Sequence, residues 1–348
     1  MMFRDTRENQ DYNKGATFNG KIVINEGQTP EVAQGDTAVD TIDKQLITQD
    51  NSLYKTKIFT DNTPDKNIRF TQNESLLSTT TVSNQNKNNY ETKLLSTPYP
   101  SVSNFINIFG QPAQIIGTFN VKNADTGEYE RLLKVMLSGV THKAFDTNGT
   151  NNLETSSLMQ ELNSEDILNF YYEYYKCYYG NIYFDYDNGF GTIDTNIYTG
   201  VIANVEWDIG GLDNLNISLE NAYKQEKGLT PYTSNKKTWT GKIGLPSLTD
   251  FLYEKLGDDC ASDLSTCSSV ANLSAMPDDY LTLTKDNTST SNIYVYDSQT
   301  YLPTSSQSGE VHLTFYLKKD VKFACGDGTY RNPYAITPRE CDELNSGK

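Results

Sequence analysis

The order in which the hydrophobic periodicities appear constrains this chain most. Beyond about residue 98, segments 105–109, 114–121 and 129–140 alternate as strands do, and Asp125-Thr126-Gly127 forms a turn between the last two. Helices are expected next. Ser156-Ser157 caps a short one through Leu158, Met159 and Leu162, and Ser164 caps a second rich in tyrosine. Ser218 opens a third that Gly228 stops, with Glu220 and Lys224 paired one turn apart. Ser247 and Asp250 form a capping box for a fourth, over Leu248, Leu252, Tyr253 and Leu256. Strand-like segments 280–284, 292–296 and 311–317 close the series. Strands, then helices, then strands, without β-α-β alternation, predict an α+β fold.

Ahead of that block the chain is polar. Residues 20–24 and 54–59 are β-like, and 40–47 is helix-like with Ile42 and Leu46 four apart. The Asn-rich stretch around 75–100 reads as a long surface loop or linker. The expected division is a β-containing N-terminal extension or arm over 1–97, an α+β domain over 98–336, and a tail over 337–348.

Charge narrows the partners. With 29 Lys+Arg against 45 Asp+Glu the net charge is −16, which argues against nucleic acid and against anionic lipid headgroups. No run of 18 apolar residues occurs, so no transmembrane segment is expected in this chain. The opening MMFRDTRENQ lacks the apolar core of a signal peptide. An export or anchor segment is therefore expected to lie outside this chain, because the cysteines point to an oxidising compartment. Cys260 with Cys267, and Cys325 with Cys341, form two close pairs that look like disulfides. Four reduced thiols are the alternative; a metal site lacks a C-x2-C pair or a nearby histidine.

Catalytic signatures are absent: no phosphate-binding loop, no nucleophile elbow, no zinc-protease helix. His142 and Cys177 have no spacing that would pair them as base and nucleophile. Asp146, Asn148 and Asn151 place side-chain oxygens around Gly149, as a Ca2+ loop does, but the same residues make ordinary turns. No cofactor is required on this reading, and Ca2+ is the one candidate.

Several segments in order resemble a large family of surface proteins from Gram-positive and related gut bacteria. They are IIGTFNV and YERLLKV (115–121, 129–135), FDTNGTNN (145–152), VIANVEWDIGG (201–211), TWTGKIGL (238–245) and, at the end, CGDGTYRNPYAI (325–336). The chain departs from the family at Glu310-Val311-His312-Leu313, where a G-V-R-P segment is usual, and at Tyr280, where tryptophan is common. The resemblance implies a divergent C-type-lectin-like domain, often pilin-associated. In that fold ligands meet the long loop before the last strands, here about 257–292. Asp278, Asp279, Asp286 and Asn287 are thus the expected ligand-binding residues, although the E-P-N and W-N-D motifs of calcium-dependent sugar binders are missing. The expectation is a non-enzymatic, extracellular or cell-surface bacterial adhesin whose partner is a protein or glycan on a surface. The alternative is a pilus or filament subunit that binds copies of itself through its N-terminal arm. An enzyme on the same scaffold would have to draw on Cys260 and Cys267.

Overall fold

The computed structural model describes residues 35–48, 56–72, 104–108, 111–164, 200–254, 263–264, 280–296, 308–329 and 332–345. Its centre is a long hairpin, β4 (Gln111–Asn123) and β5 (Tyr129–Ala144). Gly127, at φ 77°, takes the left-handed conformation that the turn between them requires. Along β5 the alternation sorts side chains. Leu133, Val135 and Leu137 on one face enter the larger hydrophobic cluster; on the other face Leu132 joins that cluster too, while Met136 enters a smaller one. Lys134 shares the Met136 side by the same period.

Around that hairpin, α1 (Ala38–Thr48), β1 (Thr56–Thr60), β2 (Ile68–Gln72) and β3 (Phe105–Ile108) come first in the chain. After β5 follow α2 (Ser157–Leu162), β6 (Val205–Asp208), α3 (Leu219–Lys227), β7 (Thr238–Gly241), β8 (Ile243–Gly244) and α4 (Leu248–Glu254). Then come β9 (Tyr280–Lys285), β10 (Ile293–Tyr296), β11 (Ser308–Leu317), β12 (Tyr334–Ala335) and α5 (Pro338–Asn345). The strands make one mixed sheet with the order β1-β2-β4-β5-β11-β9-β10, and β3, β6, β7, β8 and β12 branch from it. Most pairs are antiparallel, with parallel joins between β11 and β9 and between β12 and β3. The chain is α+β, with helices α3 and α4 over the smaller cluster.

Sequence-level caps hold where they are described. Ser156 accepts from the Met159 N–H at 3.2 Å, and Ser218 from the Asn221 N–H at 3.3 Å. Gly228 ends α3 at φ 59°. Of the expected Ser247–Asp250 box one half forms: the Ser247 N–H donates to Asp250 Oδ2 at 2.8 Å, while the Asp250 N–H donates to the Ser247 backbone carbonyl at 3.1 Å and not to its hydroxyl.

The described residues 36–48 and 56–72 belong to the same sheet and core as the rest. β2 joins β4 through Ile68↔Thr118 and Arg69↔Gly117, and Ala38, Val39, Ile42 and Phe70 are buried in the larger cluster. A Cβ at Gly117 would run into the Ile68 carbonyl oxygen, so only glycine lets β2 approach. The described part of the expected arm is therefore packed against its own sheet, because its few apolar side chains find cover there. Residues 337–345, expected as a tail, begin with α5, whose Cys341 is bonded to Cys325. The β-like 20–24, the linker around 75–100, the tyrosine-rich helix and Cys177 lie outside the described residues.

The motifs behind the family resemblance have packing roles here. Trp207 and Trp239 face each other across β6 and β7, and Trp207 Nε1 donates to the Gly241 carbonyl at 2.9 Å. A side chain at Gly241 would strike the Trp239 ring, and a Cβ at Gly244 would sit 3.0 Å from the Trp207 ring. Gly326 and Gly328, at φ 90° and 77°, turn the chain before β12, where Phe323 stacks on Tyr334 at 4.0 Å.

Candidate functional site

Two polar loops meet at one place. In the first, Asp146 is buried and its carboxylate accepts from the Thr150 N–H at 3.0 Å, the Thr150 hydroxyl at 2.8 Å and the Ser157 N–H at 3.2 Å. Burial pushes this carboxyl up, but the bonds from Thr150, Ser157 and the Asn148 N–H prevail and leave it below its usual range. Asn148 itself is exposed. Asn151 reaches the second loop: its amide donates to the carbonyls of Asp286, Ser289 and Asn292 at 3.1, 2.8 and 3.0 Å. Asp286 is buried and accepts from the Thr288 N–H and hydroxyl. Its neighbour Asn287 donates to Asp213 Oδ1 at 3.0 Å.

The fold thus brings the expected metal residue Asn151 beside the expected ligand residues Asp286 and Asn287, which sequence separation does not reveal. Asp146 spends both carboxylate oxygens, and Asn151 its amide N–H groups, on the loops themselves. Among the described residues no group of three His, Cys, Asp or Glu is arranged to hold a metal ion. Asp278, Asp279, Cys260 and Cys267 lie outside the described residues; Cys325 and Cys341 are joined as a disulfide.

A second constellation, missed from sequence, is a buried ionic cluster beneath α3 and α4. Arg69 Nε donates to Asp61 Oδ2 at 2.7 Å, and its Nη1 lies 3.4 Å from Asp250 Oδ1. Lys134 Nζ lies 2.5 Å from Asp250 Oδ2. Asp61 also accepts from Thr63 and Asn67, and Asn67 donates to the Tyr223 hydroxyl at 2.7 Å. Arg69 is sandwiched by rings, 4.2 Å from Tyr253, 4.7 Å from Phe119 and 5.2 Å from Tyr223. Burial alone would raise Asp250, but Lys134 and Arg69 outweigh it and hold the carboxyl at about 2.

Beside this cluster sits Glu226, whose carboxylate accepts from the hydroxyls of Thr249 and Thr284. Burial pushes it up to about 7, against those two bonds and with the help of Asp250. The one sequence signal for the cluster is Lys134, a lone charge inside the apolar run LLKVML (132–137).

His312 is buried as well, with Nδ1 3.0 Å from the Leu137 carbonyl and the ring against Tyr280. No helix among the described residues is long and apolar enough to cross a membrane. Comparison with family models, with curated proteins and with solved structures gave no match for this chain.

Proposed function

We propose that this chain is a non-enzymatic, extracellular bacterial surface protein that binds a protein or glycan through the polar loop face around Asn151, Asp213 and Asn287. The observation that carries the reading is the triple bond set of Asn151, which welds loop 145–152 to the 286–292 turn. A rim fixed in this way loses little conformational entropy when a partner docks, the condition for selective binding by polar loops. The turn at 286–292 is the described end of the expected ligand loop, about 257–292; the lectin-like reading rests on the ordered segments from 115 to 336. The Cys325–Cys341 disulfide suits an oxidising compartment.

The test is a combined glycan and protein array, run with the full chain at calcium from micromolar to millimolar. Reproducible hits weakened by Asn287→Ala or Asp213→Ala support the reading. An absence of hits at every calcium level counts against it.

A second reading, a filament subunit, is favoured by one observation: among the described residues β1 ends the strand order, and an edge strand accepts a strand from another chain. Size-exclusion chromatography with light scattering separates the two. A defined oligomer favours the filament, and a monomer favours the surface binder.

A further inference from the structure

Lys134 and Asp250 face each other in a dry place. Their side chains are 5% and 3% exposed, and Lys134 Nζ is 2.5 Å from Asp250 Oδ2. The rings of Phe119, Tyr316 and Trp207 stand 5.3, 5.5 and 5.6 Å from that nitrogen and shut out water. Lys134 is fixed by the pairing of β5 with β4 and β11, and Asp250 by its place in the first turn of α4. An amine and a carboxyl held in contact on rigid elements satisfy the proximity condition for condensation.

We propose that Lys134 and Asp250 condense to an intramolecular isopeptide bond, an amide between Nζ and Cγ. One ammonium proton crosses to Oδ2, and the freed amine attacks Cγ. Oδ1 carries the developing negative charge, and Arg69 Nη1, 3.4 Å away, is placed to donate to it. A second proton leaves the nitrogen for Oδ2, which departs as water. Of the three ammonium protons, two end on that water and one on the amide nitrogen. No oxidant, reductant or co-reactant is needed.

Charge balance favours the product. The cluster holds two carboxylates, Asp61 and Asp250, against two cations, Arg69 and Lys134. Condensation removes one of each and leaves Asp61 and Arg69 as a matched pair at 2.7 Å. Burying ions is costly even when they are paired, so converting one pair to a neutral amide relieves the interior. The reaction is a single maturation step of the closed fold rather than a repeating one. Exclusion of water then protects the bond from hydrolysis. The proposal stands apart from the surface-binding reading.

Mass spectrometry decides it on the full chain, reduced and alkylated. The intact mass should fall short of the sequence mass by one water. A tryptic map should contain a branched peptide joining Lys134 to Asp250. Lys134→Arg and Asp250→Ala should each restore the full mass. A wild-type chain at full mass, or one whose Lys134 and Asp250 peptides are unlinked, overturns the proposal. So does a water loss that persists in Lys134→Arg, which would mark a succinimide elsewhere. Because the wild-type map is decisive by itself, a variant that fails to fold leaves the test intact.

Discussion

Glu226 is buried on α3, and among the described residues Thr249 and Thr284 satisfy it. Its carboxyl rises from 4.5 to about 7 on folding. A folded-state value above the unfolded one means that the contribution to stability is complete below pH 4.5 and is lost as pH rises through 7. The expected loss across that window is about 3 kcal/mol. Urea unfolding of the wild type and of Glu226→Gln from acid to neutral pH measures it. The variant should lose less stability over the window, and equal slopes would contradict the assignment. Asp61 makes a second residue-scale prediction. It holds Arg69, Thr63 and Asn67 together, so Asp61→Ala leaves a buried cation short of its partner. The expected cost is about 3–5 kcal/mol in unfolding free energy, and a loss under about 1 kcal/mol would mean the cluster is solvated. Neither residue was legible as buried in the sequence. Arg69 and Asp61 sit in a polar stretch that reads as surface, and burial of a charge depends on partners far along the chain.

At the scale of elements, the sequence carried the caps and turns because those are local chemistry. Ser156, Ser218 and the bond from the Ser247 N–H to Asp250 start their helices, and Gly228 stops one. Two more capping boxes went unread. Thr37 and Asp40 exchange bonds at the start of α1, and Thr337 and Glu340 do so at the start of α5. Short strands such as β2, β6, β7 and β8 were not legible, since each is defined by its partner rather than by its own pattern. The joint between β2 and β4 yields a prediction. Gly117→Ala should drive the Ile68 carbonyl away and cost about 1–3 kcal/mol. Hydrogen exchange should then accelerate over 56–72 while β9 and β10 stay protected; unchanged exchange there would show that β2 does not depend on Gly117. Asn151→Ala tests the loop weld. Losing its bonds to three carbonyls should cost about 1–3 kcal/mol and raise exchange across 286–292. Protection that survives in the variant would contradict the weld.

The whole molecule was legible as α+β from the order of its periodicities, and the boundary near residue 97 was drawn from a shift in composition. Composition does not report tertiary cover. Residues 38–42 and 68–70 are short apolar islands in a polar stretch, yet Ala38, Val39, Ile42, Ile68 and Phe70 are buried. The candidate site was legible only as separate fragments, 146–151 and 286–287, because the Asn151 bridge spans 135 to 141 residues. The glycines of WTGKIGL and GDGT serve ring packing and turns, so the motifs that carry the resemblance describe a scaffold. The most direct measurement of the central claim is array binding by the full chain, with and without calcium, beside Asn287→Ala, Asp213→Ala and Glu226→Gln. The account predicts a reproducible protein or glycan ligand whose binding falls at least tenfold, about 1.4 kcal/mol, in the two rim variants and is unchanged in Glu226→Gln. No ligand at any calcium level, or binding indifferent to Asn287 and Asp213, would contradict it.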